Sequence, residues 1–486
     1  MSTLQNQQSP ICSHVVDILG STKGRDQPIL KMDRALEFAS LLGEKTFEDE
    51  NVVFFDPFCK AGEILLACAL HSCRAKSKAK LINIDQIFNE IYLSHRYFAL
   101  APDGRHHGLS LRTFLGNINS HDKNFNHIIR DGHYLSEIDG TLKNAKFVEE
   151  FNFVIDYIKA TTKNKRIIAI GNPPYQESDG GYGKSAKPIY HLFAETLMDC
   201  PDISEFVLVI PSRWFGGGKG LDKFRNRTIN SKNIKYLRYF KNSSEVFPTV
   251  DINGGVCFMH WDRYYSGKTT FSDGINQNQI DISQHDIIPD DPLSYSIIDK
   301  VKTKWSGKWV SDVAWYSKPF GLRTFYFKKN KEANPNNTQS IPCLSIGRIV
   351  KYVPQSDISK NIDKIDLWKV AVPKAAGGSK GNRRSTIPLN LILLVPKGTI
   401  TTETYNIVHA FKSKTEAERM VGFLKTNFSR YLIGLRKITQ DIPRDRWNWV
   451  PMMDMSREWT DADLFDYFSF TKSERTHIKN KVQEWS

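Results

Sequence analysis

The sequence has no Cys-x-x-Cys pair and no apolar run approaching the roughly 20 residues needed to cross a bilayer. Its seven cysteines, Cys12, Cys59, Cys68, Cys73, Cys200, Cys257 and Cys343, are scattered and odd in number. That argues against a disulfide framework and against a structural zinc site, and it fits a reducing compartment. His71 falls between Cys68 and Cys73, but the three lack ligand spacing and read as packing residues of one helix, so no metal is expected. The start, MSTLQNQQSP, lacks the charged-then-apolar pattern of an export signal. A soluble, cytoplasmic protein with no membrane partner is therefore expected. Acidic residues are also in deficit, 53 against 67 Lys and Arg, for a net charge of +14. A basic excess of this size suits an acidic partner, and nucleic acid is the commonest one.

No repeat or long low-complexity tract organises the 486 residues, and a chain of this length favours two or three domains. From about residue 30 to 265, short apolar runs alternate with helical segments, as in a parallel sheet with crossover helices. Strands are predicted at 52–55, 97–101, 127–129, 167–170, 206–210, 236–240 and 255–260, with helices at 64–70, 145–160, 189–198 and 220–228. The fold class is thus α/β, with a doubly wound, mostly parallel seven-stranded sheet. Beyond 265 the texture changes to GINQNQIDISQHDIIPDDP, which places a boundary near 270. The remainder reads as a mixed α+β domain with a Gly- and Lys-rich segment, Pro373–Thr386. Its helices start at Lys414 and at Thr460, the latter with a capping-box-like Thr460-Asp461-Ala462-Asp463.

Doubly wound sheets bind ligands at the carboxyl ends of their strands, so the residues just after each strand carry the most information. Phe54-Phe55-Asp56-Pro57-Phe58-Cys59-Lys60-Ala61-Gly62 runs from an apolar strand through a small-residue turn into a helix. Such a turn lets the backbone approach a ligand and aims helix N–H groups at it. Ile168-Ala169-Ile170-Gly171-Asn172-Pro173-Pro174-Tyr175 repeats the strand-then-turn pattern. Adjacent prolines stiffen the chain and hold the Pro173 carbonyl in a fixed direction. Asn172 adds an amide oxygen and Tyr175 a flat aromatic face, a set that suits a planar base bearing an amino group.

Together these two motifs resemble the amino-methyltransferases of DNA, and the asparagine at 172 resembles the adenine-N6 enzymes of restriction-modification systems. In that family a DPF-type turn binds S-adenosylmethionine and an NPPY tetrapeptide holds the target base. The resemblance implies a methyltransferase catalytic domain over 1–270 and a DNA target-recognition domain with a helical C-terminus over 271–486. It implies Asn172, Pro173, Pro174 and Tyr175 as catalytic residues, and Asp56, Pro57, Phe58, Cys59 and Gly62 at the cofactor. Asp103, after the strand at 97–101, would hold the cofactor ribose, with Asp85 as a rival; Asp131 would accept from the cofactor's adenine. Phe258 and Arg213 are implied near the substrate, double-stranded DNA, and Lys187, at the end of the polar, glycine-rich loop Gln176–Lys187, is expected there too. Cofactor turn first, base motif second and recognition domain last is the motif order of the gamma group. The run Leu432–Asp441 followed by Trp449–Asp454 is similar to the C-termini of such enzymes. The setting implied is a restriction-modification or phage modification system, in the cytoplasm of a bacterial or phage-infected cell, with a separate restriction endonuclease as partner.

The chain departs from the family's pattern at Lys60 and Ala61, where the turn has its first glycine and that glycine's neighbour. The long spacing between motifs implies insertions near 75–95 and 135–165. Phosphate contacts are expected from Lys184 or Lys187, from the cations of 216–241 and from Lys374–Arg384. Cytosine-N4, RNA-adenine and protein glutamine-N5 methylation use similar tetrapeptides and remain alternatives. A fused nuclease is not expected, since Pro289-Asp290-Asp291 has no fitting Glu-x-Lys downstream.

Overall fold

The computed structural model describes residues 29–78, 82–115, 129–136, 140–177, 187–218, 220–248, 250, 252, 254–376, 387–437 and 441–484. MSTLQNQQSP, Lys184, Lys219 and most of the 374–384 segment lie outside the described residues. The chain divides into two compact units, Met1–Pro292 and Leu293–Ser486.

The first unit is built on β1 (Val52–Asp56), β2 (Tyr97–Ala101), β3 (Ile129–Asp131), β4 (Arg166–Gly171), β5 (Ile203–Pro211), β6 (Ile234–Phe240), β7 (Val256–Asp262), β8 (Thr269–Ser272) and β9 (Gln277–Ile280). Its helices are α1 (Met32–Ser40), α2 (Glu44–Glu48), α3 (Glu63–Ser77), α4 (Ile84–Leu93), α5 (Gly104–Leu115), α6 (Asn144–Thr162), α7 (Tyr190–Asp199) and α8 (Asp222–Asn230). The strand order is β3-β2-β1-β4-β5-β7-β6-β8-β9. β1 to β5 are mutually parallel, and β7 runs antiparallel between β5 and β6. The chain moves outward from β1 to β3 and then returns to lay β4 on the other side of β1. The switch point therefore lies between β1 and β4.

The central strands show no polar alternation because both faces of the sheet are covered. Consecutive strand residues project to opposite faces. Phe54 stacks on Phe47 of α2 at 5.3 Å between ring centroids, while Phe55 meets Phe151 of α6 at 5.8 Å. The neighbouring strand repeats this: the Tyr97 hydroxyl donates to Ser72 of α3, and Phe98 meets Tyr157 of α6.

The sheet is mixed and has nine strands rather than the expected seven. β8 and β9 carry Thr-Thr-Phe-Ser and Gln-Asn-Gln-Ile, too few apolar side chains to stand out from a linker. β8 adds parallel to β6, and β9 closes the edge with its polar side chains largely exposed. This pair carries the first unit to Pro292 instead of 270.

The second unit holds two three-stranded sheets, β11-β10-β14 and β13-β12-β15. The strands are β10 (Ser340–Leu344), β11 (Val350–Pro354), β12 (Trp368–Pro373), β13 (Leu393–Val395), β14 (Ile400–Thr401) and β15 (Tyr405–Phe411). The sheets share a core that includes Phe320, Cys343, Val353, Ala371, Ile400 and Ile407. Helices α9 (Ser294–Lys304), α10 (Val310–Val313), α11 (Tyr326–Lys329), α12 (Lys414–Lys425), α13 (Asn427–Arg436), α14 (Asp461–Tyr467) and α15 (Lys472–Glu484) complete the unit. Thr460 opens α14 with a full capping box: Asp463 N donates to Thr460 Oγ1 at 3.2 Å, and Thr460 N donates to Asp463 Oδ2 at 2.9 Å.

Candidate functional site

Because β1 to β5 are parallel, their carboxyl ends share one edge, and the segments that leave them are Asp56–Gly62, Pro102–Asp103, Asp131–Gly132, Asn172–Tyr175 and Ser212–Phe215. The turn after β1 is tied down on several sides. Phe58 N donates to Asp56 Oδ1 at 3.0 Å, Cys59 N to Leu100 O at 3.1 Å and Tyr134 OH to Pro57 O at 3.0 Å. Ser110 Oγ donates to Lys60 O at 3.1 Å. Gly62 takes a left-handed conformation (φ 80°) as the N-cap of α3, and a Cβ there would stand 2.6 Å from Phe114 Cε2. Gly62 has no side chain with which to cap this helix start, and the Glu63 carboxylate accepts from its own N–H and from Ala61 and Leu30 N.

Asp56 and Lys60 in that turn, and Glu63 just after it, are buried. Burial drives the Asp56 carboxyl well above the usual carboxylate range, more than the Phe58 N–H hydrogen bond lowers it. Burial raises Glu63 as well. The Lys60 amine is pushed down by burial to about 7, against the attraction of Glu63 and Asp56.

The turn after β4 touches the turn after β1. A Cβ on Gly171 would lie 2.6 Å from Asp56 Oδ1 and 2.8 Å from Phe58 Cδ2, so the backbone before Asn172 presses directly on the β1 turn. Asn172, Pro173, Pro174 and Tyr175 are all buried. The Tyr175 ring meets Phe247 edge-on at 6.1 Å, and the Lys60 ammonium lies 5.9 Å from its centroid. Tyr175 O accepts from Ile189 N at 3.1 Å, which closes the loop at the base of α7.

Asp103 follows β2 directly and caps α5, accepting from His106 N at 2.9 Å. His106 Nδ1 lies 2.7 Å from both carboxylate oxygens, and burial of Asp103 is outweighed by these contacts, which hold its pKa below the ordinary value. Asp85 lies in the first turn of α4, away from any strand end. Asp131 ends β3; its Oδ2 pairs with His133 Nε2 at 3.0 Å, while Oδ1 is buried without a hydrogen-bond partner among the described residues.

The expected substrate contacts have different surroundings. Phe258 is fully buried in the middle of β7, 5.0 Å from Phe38 and 4.7 Å from Phe240, and belongs to the core. The aromatic residue that meets Tyr175 is Phe247, in the connection between β6 and β7, rather than Phe258. Arg213 is half-buried in the turn after β5, and Lys187 is exposed at the base of the 176–188 loop. The basic stretch 216–241 is largely neutralised within the unit: Arg225, Arg227, Lys232, Lys235 and Arg238 each lie within 4.0 Å of a carboxylate oxygen. Gly171 and Lys60 carry contacts that no motif announced.

The model of the Eco57I restriction-modification methylase family matches residues 66–247. Over 170 residues the chain is 29% identical to an "Uncharacterized adenine-specific methylase" of Mycoplasma pneumoniae (strain ATCC 29342 / M129 / Subtype 1), covering 30% of this chain and 40% of that relative. The match thus spans well under half of the relative's length. Among solved structures, the type IIG restriction endonuclease BpuSI aligns over 97% of this chain and 62% of its own, with a TM-score of 0.42 at 10% identity. A nuclease-deletion mutant of the Type ISP restriction-modification enzyme LlaGI, in complex with a DNA substrate mimic, aligns over 86% and 45%, with a TM-score of 0.45 at 10% identity.

Proposed function

We propose that this chain, similar over residues 66–247 to the Eco57I restriction-modification methylases, transfers a methyl group from S-adenosylmethionine to the N6 amino group of adenine in double-stranded DNA. The setting would be a restriction-modification or phage modification system in the cytoplasm, with a separate restriction endonuclease as the partner such a system implies. One contact carries the proposal: at the switch point of the sheet, Gly171 seats the Asn172–Tyr175 tetrapeptide against the Asp56–Phe58 turn. A cofactor held by one turn would then present its reactive end to a base held by the other.

The residues present fit the cofactor. Asp103, two residues past β2, and Asp131, the last residue of the neighbouring β3, would hold the ribose and the adenine amino group; the buried Asp131 Oδ1, without a hydrogen-bond partner among the described residues, suits a donor. The left-handed Gly62 at the start of α3 would face the methionine end. When bound, the cofactor supplies a methyl group on a positively charged sulfur. The chain's own residues orient the acceptor: Asn172 Oδ1 and the Pro173 carbonyl would each accept a hydrogen bond from the amino group, which draws the nitrogen lone pair out of conjugation with the ring. Catalysis is orientation and electrostatics in a closed pocket. The base must leave the duplex to arrive there, and Tyr175, backed by Phe247, provides its stacking face.

The test is methyl transfer from tritiated S-adenosylmethionine to plasmid DNA. Asn172→Ala is expected to lower the rate by about 100-fold or more, with cofactor affinity close to that of the wild type. Full activity in that variant would sink the assignment.

A further inference from the structure

We infer that the tip of the β10–β11 hairpin, Ser345–Lys351, is the element of the second unit that enters a groove of duplex DNA, an inference that rests on the DNA reading above. Ile346, Ile349 and Val350 are 47%, 56% and 48% exposed on this single turn, although nearby apolar residues such as Cys343 and Val353 are in the core. The turn is held in shape: Ser345 N and Oγ donate to Ile349 O at 2.8 and 2.9 Å, and Arg348 N donates to Ser345 O at 3.2 Å. Gly347 and Arg348 both take positive φ, 74° and 64°. For arginine that conformation costs about 1 kcal/mol, so the fold holds a cation at the tip in spite of its backbone preference. Arg348 Nη2 donates to Asn390 O at 2.7 Å, which braces the tip against the turn carrying Leu389, itself 44% exposed.

Charge identifies the partner. Between residues 323 and 351 the cations are Arg323, Lys328, Lys329, Lys331, Arg348 and Lys351, and the only acid is Glu332. The Lys351 ammonium lies 5.2 Å over the Phe327 ring and Ala333 N donates to Tyr352 O at 2.9 Å, so the 327–333 segment runs beside the hairpin with its lysines. The same segment covers the outer edge of β11, which closes that edge to an extended peptide. A rigid ribbon with an aliphatic tip between cations matches a polyanion that also offers apolar faces. The major groove, about 12 Å wide, admits a two-stranded ribbon, with phosphates flanking and thymine methyl groups on its floor.

The experiment uses the full chain with the double variant Arg348→Ala/Ile349→Ser, both sites being exposed. Binding to plasmid DNA fragments and methyl transfer to them are measured beside cofactor affinity and thermal unfolding. The variant is expected to bind DNA and to transfer methyl groups at least about tenfold more weakly, with cofactor binding and unfolding unchanged. Wild-type-like DNA binding by the variant overturns the inference while leaving the methylation reading intact. A wild type that binds DNA through this turn but methylates none overturns the methylation reading alone, and a wild type that does neither overturns both. Loss of binding to phosphatidylserine vesicles, with DNA binding retained, assigns the tip to a membrane surface and also overturns the inference.

Discussion

Lys60 replaces a glycine of the turn that this chain resembles, and its side chain is buried beside Tyr175 instead of reaching solvent. Burial pushes its amine down from the ordinary 10.5 to about 7, against the attraction of Glu63 and Asp56. Between those two pH values the unfolded chain keeps on Lys60 a proton that the folded chain releases, so the contribution of Lys60 to stability rises with pH across that window. Below about 7 both states hold the proton and the burial cost is felt in full. Thermal unfolding of wild type and Lys60→Met from pH 6 to 9 should show the variant ahead at pH 6 and the gap narrowing toward pH 9; a gap that stays constant would contradict the titration. Gly171→Ala forces a Cβ onto Asp56 and Phe58 and should cost about 1–3 kcal/mol in urea unfolding. Gly108→Ala is the control: a Cβ there meets nothing within 4 Å, and the helical position should gain roughly 0.5–1 kcal/mol. These residue-scale roles were only partly legible in the sequence. Asn172–Tyr175 is visible because two prolines fix its conformation locally, whereas the choice between Phe247 and Phe258 depends on long-range packing: Phe247 lies in the connection after β6, beside Tyr175, and Phe258 in the middle of β7.

Strands β1, β2 and β4 to β7 follow from the sequence to within a few residues, since apolar runs bounded by turns mark buried parallel strands well. β8 and β9 do not, because an edge strand facing solvent needs little apolar content and reads as a linker. Helix ends with side-chain caps are equally legible. Thr460 and Asp463 satisfy one another's neighbouring N–H groups in α14, and Thr460→Ala should cost about 1 kcal/mol in equilibrium unfolding of the full chain. An unchanged unfolding midpoint would mean that the box contributes nothing there. Asp103 illustrates a residue with two readings, since the carboxylate that caps α5 also stands at the end of β2, where a cofactor ribose would lie.

At the scale of the whole molecule, the net charge of +14 could have been spread evenly, but it is not. Five cations of 216–241 are paired with acids of the first unit, while among the described residues the six cations of 323–351 lie in no ion pair within 4.0 Å. Composition announced the excess; only the pairing pattern tells which part of it remains for a phosphate backbone. DNA affinity should therefore fall by about tenfold or more between 50 and 200 mM salt, as counterion release requires of several phosphate contacts. The central claim, methylation of adenine in DNA, is tested most directly by single-molecule sequencing of DNA from cells expressing the full chain. N6-methyladenine should accumulate in one recurring sequence context and vanish with Asn172→Ala. N4-methylcytosine in that context, or unmodified DNA alongside newly methylated RNA or protein glutamine, would contradict it.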